Sequence, residues 1–129
     1  MISAAQRKRL VAAARAVRLR AHAPYSRFRV GAAVIDERSR VHVGCNVENA
    51  SYGLTVCAER NAVAAAVAAG AKGIRAVAVV TRDKSSPCGA CRQVLAELGG
   101  PTTEVLLAAP AGEPESVTLG VLLPRAFTL

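Results

Sequence analysis

The sequence predicts an α/β fold of three layers, with a mixed sheet of about five strands flanked by helices on both faces. Three observations carry that prediction. Helical and strand-like segments follow one another in the order helix, hairpin, helix, strand, helix, strand. Two later segments, Ile74–Val80 and Val105–Ala108, are nearly unbroken runs of Val, Leu, Ile and Ala, the pattern of strands covered on both faces. Hydrophobic residues make up 52% of the 129 residues and charged residues 20%, enough for a core and too apolar for a disordered chain.

Each element has a local reason. Ser3 and Gln6 have capping-box spacing and open a helix from about Ala4 to Ala21, with Leu10, Ala13, Ala14, Val17 and Ala21 as its apolar stripe. Arg29–Ile35 and Arg40–Cys45 read as two strands joined by the turn Asp36–Ser39. Asn46–Thr55 reads as a loop, and the Ala- and Val-rich stretch Val56–Ala69 as a buried helix stopped by Gly70. Ile74–Val80 is the next strand. Ser86 as N-cap and Pro87 in the first turn open a helix to about Leu98, ended by Gly99-Gly100-Pro101. Val105–Ala108 is a further strand, Val117–Leu119 a short last one, and Gly120–Leu123 one helical turn before Pro124.

Length favours a single domain spanning residues 1–129. Aromatics are 3% and Trp is absent, so the core must be built from Ala, Val and Leu. A small Ala-rich chain gains by burying more surface against copies of itself. No stretch reaches the roughly 18 apolar residues of a membrane span. The segment MISAAQRKRL lacks the apolar core and cleavage site of a secretory signal, so a cytoplasmic location is expected. There the four Cys stay reduced, which favours metal or catalytic roles over disulfides.

The net charge of +8 is lopsided: residues 1–40 hold ten basic and two acidic side chains, and the remainder holds seven of each. Such a stripe can attract nucleic acid. With so few aromatics to stack bases, solvated faces of a helix and a hairpin are the favoured reading, and no nucleic-acid partner is expected.

Chemistry concentrates in Cys57, Glu59, Cys88 and Cys91. Cys88-Gly89-Ala90-Cys91 is a C-x-x-C at a helix start, which puts both sulfurs on one helical face. Cys57 begins another predicted helix, so all three sulfurs sit at helix N-termini, where partial positive charge favours thiolates. Three thiolates occupy three corners of a tetrahedral zinc site and leave the fourth open, the coordination of a catalytic zinc. Glu59 lies two positions after Cys57, close enough to move protons at the metal without ligating it. Cys57-Ala58-Glu59 followed by Pro87-Cys88-Gly89-Ala90-Cys91 has the pattern of the zinc deaminase signature, with Cys in place of its His. Alternatives stay open at this level: a closed structural site with Cys45 as fourth ligand, or a thiol-redox pair. His22 and His42 fit no ligand spacing and read as surface or structural residues.

With these residues placed, the sequence resembles the small homotetrameric, zinc-dependent cytidine deaminases of pyrimidine salvage. The resemblance runs from about Pro24 to Phe127. It rests on Pro24-Tyr25-Ser26 with Phe28 and Val30–Ala33, on Gly44–Ala50, on Cys57–Arg60, on Pro87–Gln93, and on Leu122-Leu123-Pro124 with Phe127. It implies hydrolysis of cytidine and 2′-deoxycytidine to the uridine products and ammonia, with one zinc per subunit held by Cys57, Cys88 and Cys91. It further implies that Glu59 carries the protons, that Asn46 and Glu48 bind the ribose hydroxyls, and that Phe28 packs on the pyrimidine. The Ala58 backbone would help hold the base, and Arg60 and Gln93 would offset the charge of the thiolates. Tyr52 and Phe127 match positions that reach a neighbouring subunit's pocket, so the resemblance implies a homotetramer. A relative such as an aminohydrolase of a cytosine-bearing antibiotic, similar to blasticidin S deaminase, has a very similar zinc motif. From other classes, a polynucleotide editor or a non-catalytic zinc module would keep the sulfurs and lose the nucleoside pocket.

Overall fold

Helix α1 (Ala4–Arg18) begins where the capping box places it. Ser3 Oγ accepts from the Gln6 amide at 3.1 Å, and Gln6 Oε1 accepts from the Ser3 amide at 2.8 Å. The computed structural model describes residues 1–129. α1 stops at Arg18 rather than the expected Ala21. The amides of Arg20 and Ala21 bond three residues back, and the His22 amide is drawn away to the Asn46 carbonyl at 3.0 Å.

Strands β1 (Gly31–Asp36) and β2 (Val41–Cys45) form the expected hairpin. β1 starts later than Arg29 because the Val30 amide bonds the Asn46 side chain at 2.9 Å, not a neighbouring strand. A 3₁₀ turn, Tyr52–Leu54, lies in the loop that follows. Helix α2 (Ala58–Ala68) starts after Cys57, since Val56 is held in a bridge with Val47. Gly70 supplies the left-handed stop at φ 94°.

Strand β3 (Ile74–Val80) has the expected bounds. Helix α3 (Gly89–Leu98) is capped by Cys88 instead of Ser86. The Arg92 guanidinium explains the shift, donating to the Pro87 carbonyl at 2.7 Å and Ser86 Oγ at 2.9 Å and holding both residues outside the helix. Strand β4 (Glu104–Ala108) follows, then β5 (Glu115–Thr118) and the single turn α4 (Leu119–Leu122). β5 falls earlier than the expected Val117–Leu119. It is a polar edge strand, placed by its pairing to β4 from Glu104↔Thr118 to Leu107↔Glu115 and not by hydrophobic pattern.

The five strands make one sheet in the order β2-β1-β3-β4-β5, with β3 and β4 parallel and every other pair antiparallel. Alternation sorts its side chains. Ala33, Ile35, Ala76, Ala78, Val80, Leu106 and Ala108 face α1, where they meet Ile2, Leu10, Val11 and Ala14. Ala32, Val34, Val77, Val79, Val105 and Leu107 face the other way, onto Ala58, Ala62, Val63 and Ala66 of α2 and Leu95 of α3. Both faces of the central strands are thus covered, which gives the expected three layers. With no large side chains to fill the space, the layers come very close. A Cβ at Gly44 would lie 2.4 Å from the Ala62 nitrogen, so α2 can rest on β2 at this depth only over a glycine. No helix is long and apolar enough to cross a membrane.

Of the ten basic residues before position 41, Arg7 and Arg40 pair with carboxylates, and Arg9, Arg15 and Arg18 donate to backbone carbonyls. Asp36 is the fully buried partner of Arg40, at the hairpin turn. Burial alone would push its carboxyl up. Hydrogen bonds from His42, from the Arg40 and Arg38 amides and from the Arg40 guanidinium outweigh that and hold it well below its ordinary value of 3.8. A depressed carboxyl contributes its full stabilisation above about pH 4 and loses it as pH falls toward the folded-state value. Asp36→Asn should therefore cost about 2 kcal/mol at neutral pH. Urea unfolding between about pH 5 and pH 2 should show a shallower acid dependence in the variant than in the parent.

Candidate metal centre and active site

Two helix N-termini meet beside the far end of β3. Cys57 and Cys88 are the N-cap residues of α2 and α3, and Cys91 follows in the first turn of α3. Their Sγ atoms are 4.0 Å apart for Cys57 and Cys88 and 3.5 Å apart for Cys88 and Cys91, with all three within 4.8 Å of one another. Tetrahedral thiolates at the usual zinc–sulfur distance of about 2.3 Å stand roughly 3.8 Å apart, so the triad fits zinc. Cys91 is buried, Cys57 half-buried and Cys88 exposed, which leaves one side of the cluster open. Cys45 ends β2 outside this cluster, and its carbonyl accepts from Asn61 of α2 at 2.8 Å.

The surroundings favour a negative sulfur at Cys57. Hydrogen bonding from Cys91 brings the Cys57 thiol down to about 5, against the opposing effect of burial and with further help from Arg60. Cys91 is pushed up in turn by donating to Cys57 and by burial. Arg60 Nη2 lies 3.5 Å from Cys57 Sγ and 3.5 Å from the Thr55 carbonyl, and the Arg60 Nε is buried without a partner. Arg60 Nη2 is thus placed to donate to the Cys57 sulfur.

Glu59 occupies the second position of α2 and is 5% exposed. Burial raises its carboxyl pKa, and the negative sulfur of Cys57 adds to the rise. The carboxyl opens onto a cavity of about 220 Å³ that also takes in Cys57, Cys88, Ala58, Phe28, Asn46 and Glu48. Ser26, Val30, Thr55, Val79, Thr81, Ser85 and Ser86 complete its walls, and sequence reasoning assigns none of them a role toward a substrate. A larger hollow of about 720 Å³, by Arg7, Arg75 and Glu104, lies at the opposite end of β3 and includes no cysteine.

Asn46 and Glu48 both fasten the Pro24–Val30 segment. Asn46 donates to the Phe28 carbonyl at 2.7 Å and accepts from the Val30 amide. Glu48 accepts from the Tyr25 and Ser26 amides at 2.9 and 3.2 Å and from Ser26 Oγ, which holds its carboxyl below the ordinary range. Capping and cavity lining are therefore combined in the same two side chains. Gln93 is not brought to a sulfur, since its amide donates to the Phe127 carbonyl at 3.0 Å. Tyr52 and Phe127 point outward, 76% and 71% exposed, and neither lines this chain's own cavity.

Residues 4–108 match the family model described as the cytidine and deoxycytidylate deaminase zinc-binding region. The chain belongs to this family. The matched stretch contains all three clustered cysteines and Glu59. The deaminase-family relatives include a cytidine deaminase of Halalkalibacterium halodurans, 48% identical over 124 residues that span 95% of this chain and 94% of that protein. Among solved structures, the cytidine deaminase of Burkholderia pseudomallei superposes with a TM-score of 0.88 at 51% identity, covering 93% of this chain and 98% of that one. The cytidine deaminase of Mycobacterium tuberculosis gives 0.81 at 44% identity, covering 95% and 97%. The zinc-binding region thus has its thiol triad in Cys57, Cys88 and Cys91.

Metal analysis separates the triad from Cys45. Cys57→Ser should lose most of the zinc found per chain in the parent protein, whereas Cys45→Ser should retain it. Loss of zinc from the Cys45 variant would restore the closed four-cysteine site.

Proposed function

We propose that the chain hydrolyses cytidine and 2′-deoxycytidine to uridine, 2′-deoxyuridine and ammonia, as an enzyme of pyrimidine salvage in the cytoplasm. The observation that carries this reading is a buried carboxyl, Glu59, beside three clustered thiols in a cavity whose other walls suit a nucleoside. When bound, zinc supplies the Lewis acidity that makes a water nucleophilic near neutral pH.

Glu59 takes a proton from the attacking water and passes it to N3 of the ring as the new C4–O bond forms. It then takes the proton of the new C4 hydroxyl and delivers it to the amino group, so the C4–N bond breaks with ammonia as the leaving group and the C4 carbonyl of the uridine product forms. A carboxyl whose pKa is raised by burial suits both directions of transfer, because it holds and releases a proton with less bias than a solvated one. Phe28 packs on the pyrimidine, while Asn46 and Glu48 keep acceptor and donor capacity for the ribose hydroxyls beyond their bonds to the Pro24–Val30 segment. The Ala58 backbone borders the base. Arg60 draws charge from Cys57, which offsets the excess negative charge of three thiolates. The substrate is a free nucleoside and not a polynucleotide, and single-stranded DNA or RNA should give no gel shift.

In this reading the assembly is a homotetramer, each pocket completed by Tyr52 and Phe127 of neighbouring subunits. Tyr52, Leu54, Val121 and Phe127 are large apolar residues on the surface, which supports burial against other copies.

Ultraviolet-monitored turnover of cytidine, read beside zinc content, tests the reading. Glu59→Ala should keep its zinc and lose activity by about 100-fold or more. Substantial residual turnover would remove Glu59 from its role. Phe127→Ala should lower activity several-fold with zinc unchanged, and an active monomer in sedimentation would overturn the shared pocket.

A further inference from the structure

Phe28 supplies the aromatic wall of the cavity, and something must hold its ring. Its backbone is fixed by Asn46 and by the Ser26 hydroxyl, which accepts from the Phe28 amide at 3.0 Å. Neither bond fixes the ring itself. The Arg82 guanidinium lies 5.1 Å from the ring centroid, within cation–π range. Arg82 makes no salt bridge, no hydrogen bond reaches its guanidinium, and it does not line the cavity, whereas its neighbour Thr81 does. The guanidinium thus meets the ring without forming part of the cavity wall.

The loop that carries Arg82 is itself built firmly. Thr81 Oγ1 accepts from the Ser85 amide at 2.8 Å, Asp83 accepts from the Thr81 and Ser85 hydroxyls, and Lys84 holds a left-handed φ of 60°. This loop leads directly to Cys88, so Arg82 links the metal-ligand loop to the segment bearing the aromatic wall.

We propose that Arg82 is a positioning residue, holding the Phe28 ring against the pyrimidine by a cation–π contact. This rests on the nucleoside-deaminase reading. A wall that packs on the flat base acts on ground state and transition state alike, so its loosening affects KM more than kcat. The charge fixes the ring orientation without forming part of the cavity wall. Lys in place of Arg keeps part of the attraction and none of the planar stacking.

The chain contains two Phe, so 4-fluorophenylalanine labelling gives two fluorine resonances, assigned with Phe28→Leu and Phe127→Leu. Arg82→Ala should move the Phe28 resonance and leave that of Phe127 in place, which also reports an intact fold, and Arg82→Lys should move it less. KM for cytidine should rise about two- to five-fold in Arg82→Ala with kcat nearly unchanged, and partly recover in Arg82→Lys. In the Phe28→Leu background, Arg82→Ala should add no further change. An unmoved Phe28 resonance, an unchanged KM, or the same KM increase without the Phe28 ring would each overturn the proposal. Failure of the parent protein to turn over cytidine would sink the deaminase reading, while the fluorine spectra would still decide the contact.

Discussion

Three thiol sulfurs within 4.8 Å of one another are the arrangement on which the rest of the molecule depends. As thiolates they repel, by about 4 kcal/mol per pair at 4 Å and an effective dielectric of 20. No chain gathers such charges without positive partners nearby. This fold provides three kinds: the amide ends of α2 and α3, the Arg60 guanidinium against Cys57, and the dication that the family's zinc-binding region takes. Cys91 donates to Cys57, which lowers the one thiol and raises the other, so a proton shared between the two eases the repulsion.

Bringing two helix starts to one point is a packing problem, and small residues solve it. α2 lies on β2 over Gly44, and the residues it turns to the sheet are Ala58, Ala62, Val63 and Ala66. A bulkier stripe would lift the helix and carry Cys57 and Glu59 away from Cys88. The scarcity of aromatics is thus a condition of the site geometry, and the layers gain density by proximity rather than by bulk.

Much of this was legible in the chain. The Ser3–Gln6 capping box and apolar stripe mark α1, the unbroken apolar run Ile74–Val80 marks β3, and the spacing of Cys57, Glu59, Cys88 and Cys91 points to zinc chemistry. What stayed hidden depends on partners distant in sequence. The true cap at Cys88 follows from Arg92 gripping Ser86 and Pro87 from the outside, and β5 is set by ladder bonds to β4. Gln93, adjacent to Arg92, turns to Phe127 and not to the sulfurs, a choice made by where the C-terminal segment lies. Thr55, Ser85 and Ser86 enter the cavity wall only because two loops converge there.

The ligands also come from two separately connected parts of the topology. Cys88 and Cys91 belong to the β3–α3–β4 crossover, whereas Cys57 heads a helix packed chiefly on the β1–β2 hairpin. Thirty-one positions separate Cys57 from Cys88. A metal joining them closes a loop whose entropy must otherwise be met by the sheet alone, so the ion acts as a non-covalent crosslink between the two units. The full set of three sulfurs is therefore assembled only where the hairpin and the crossover dock.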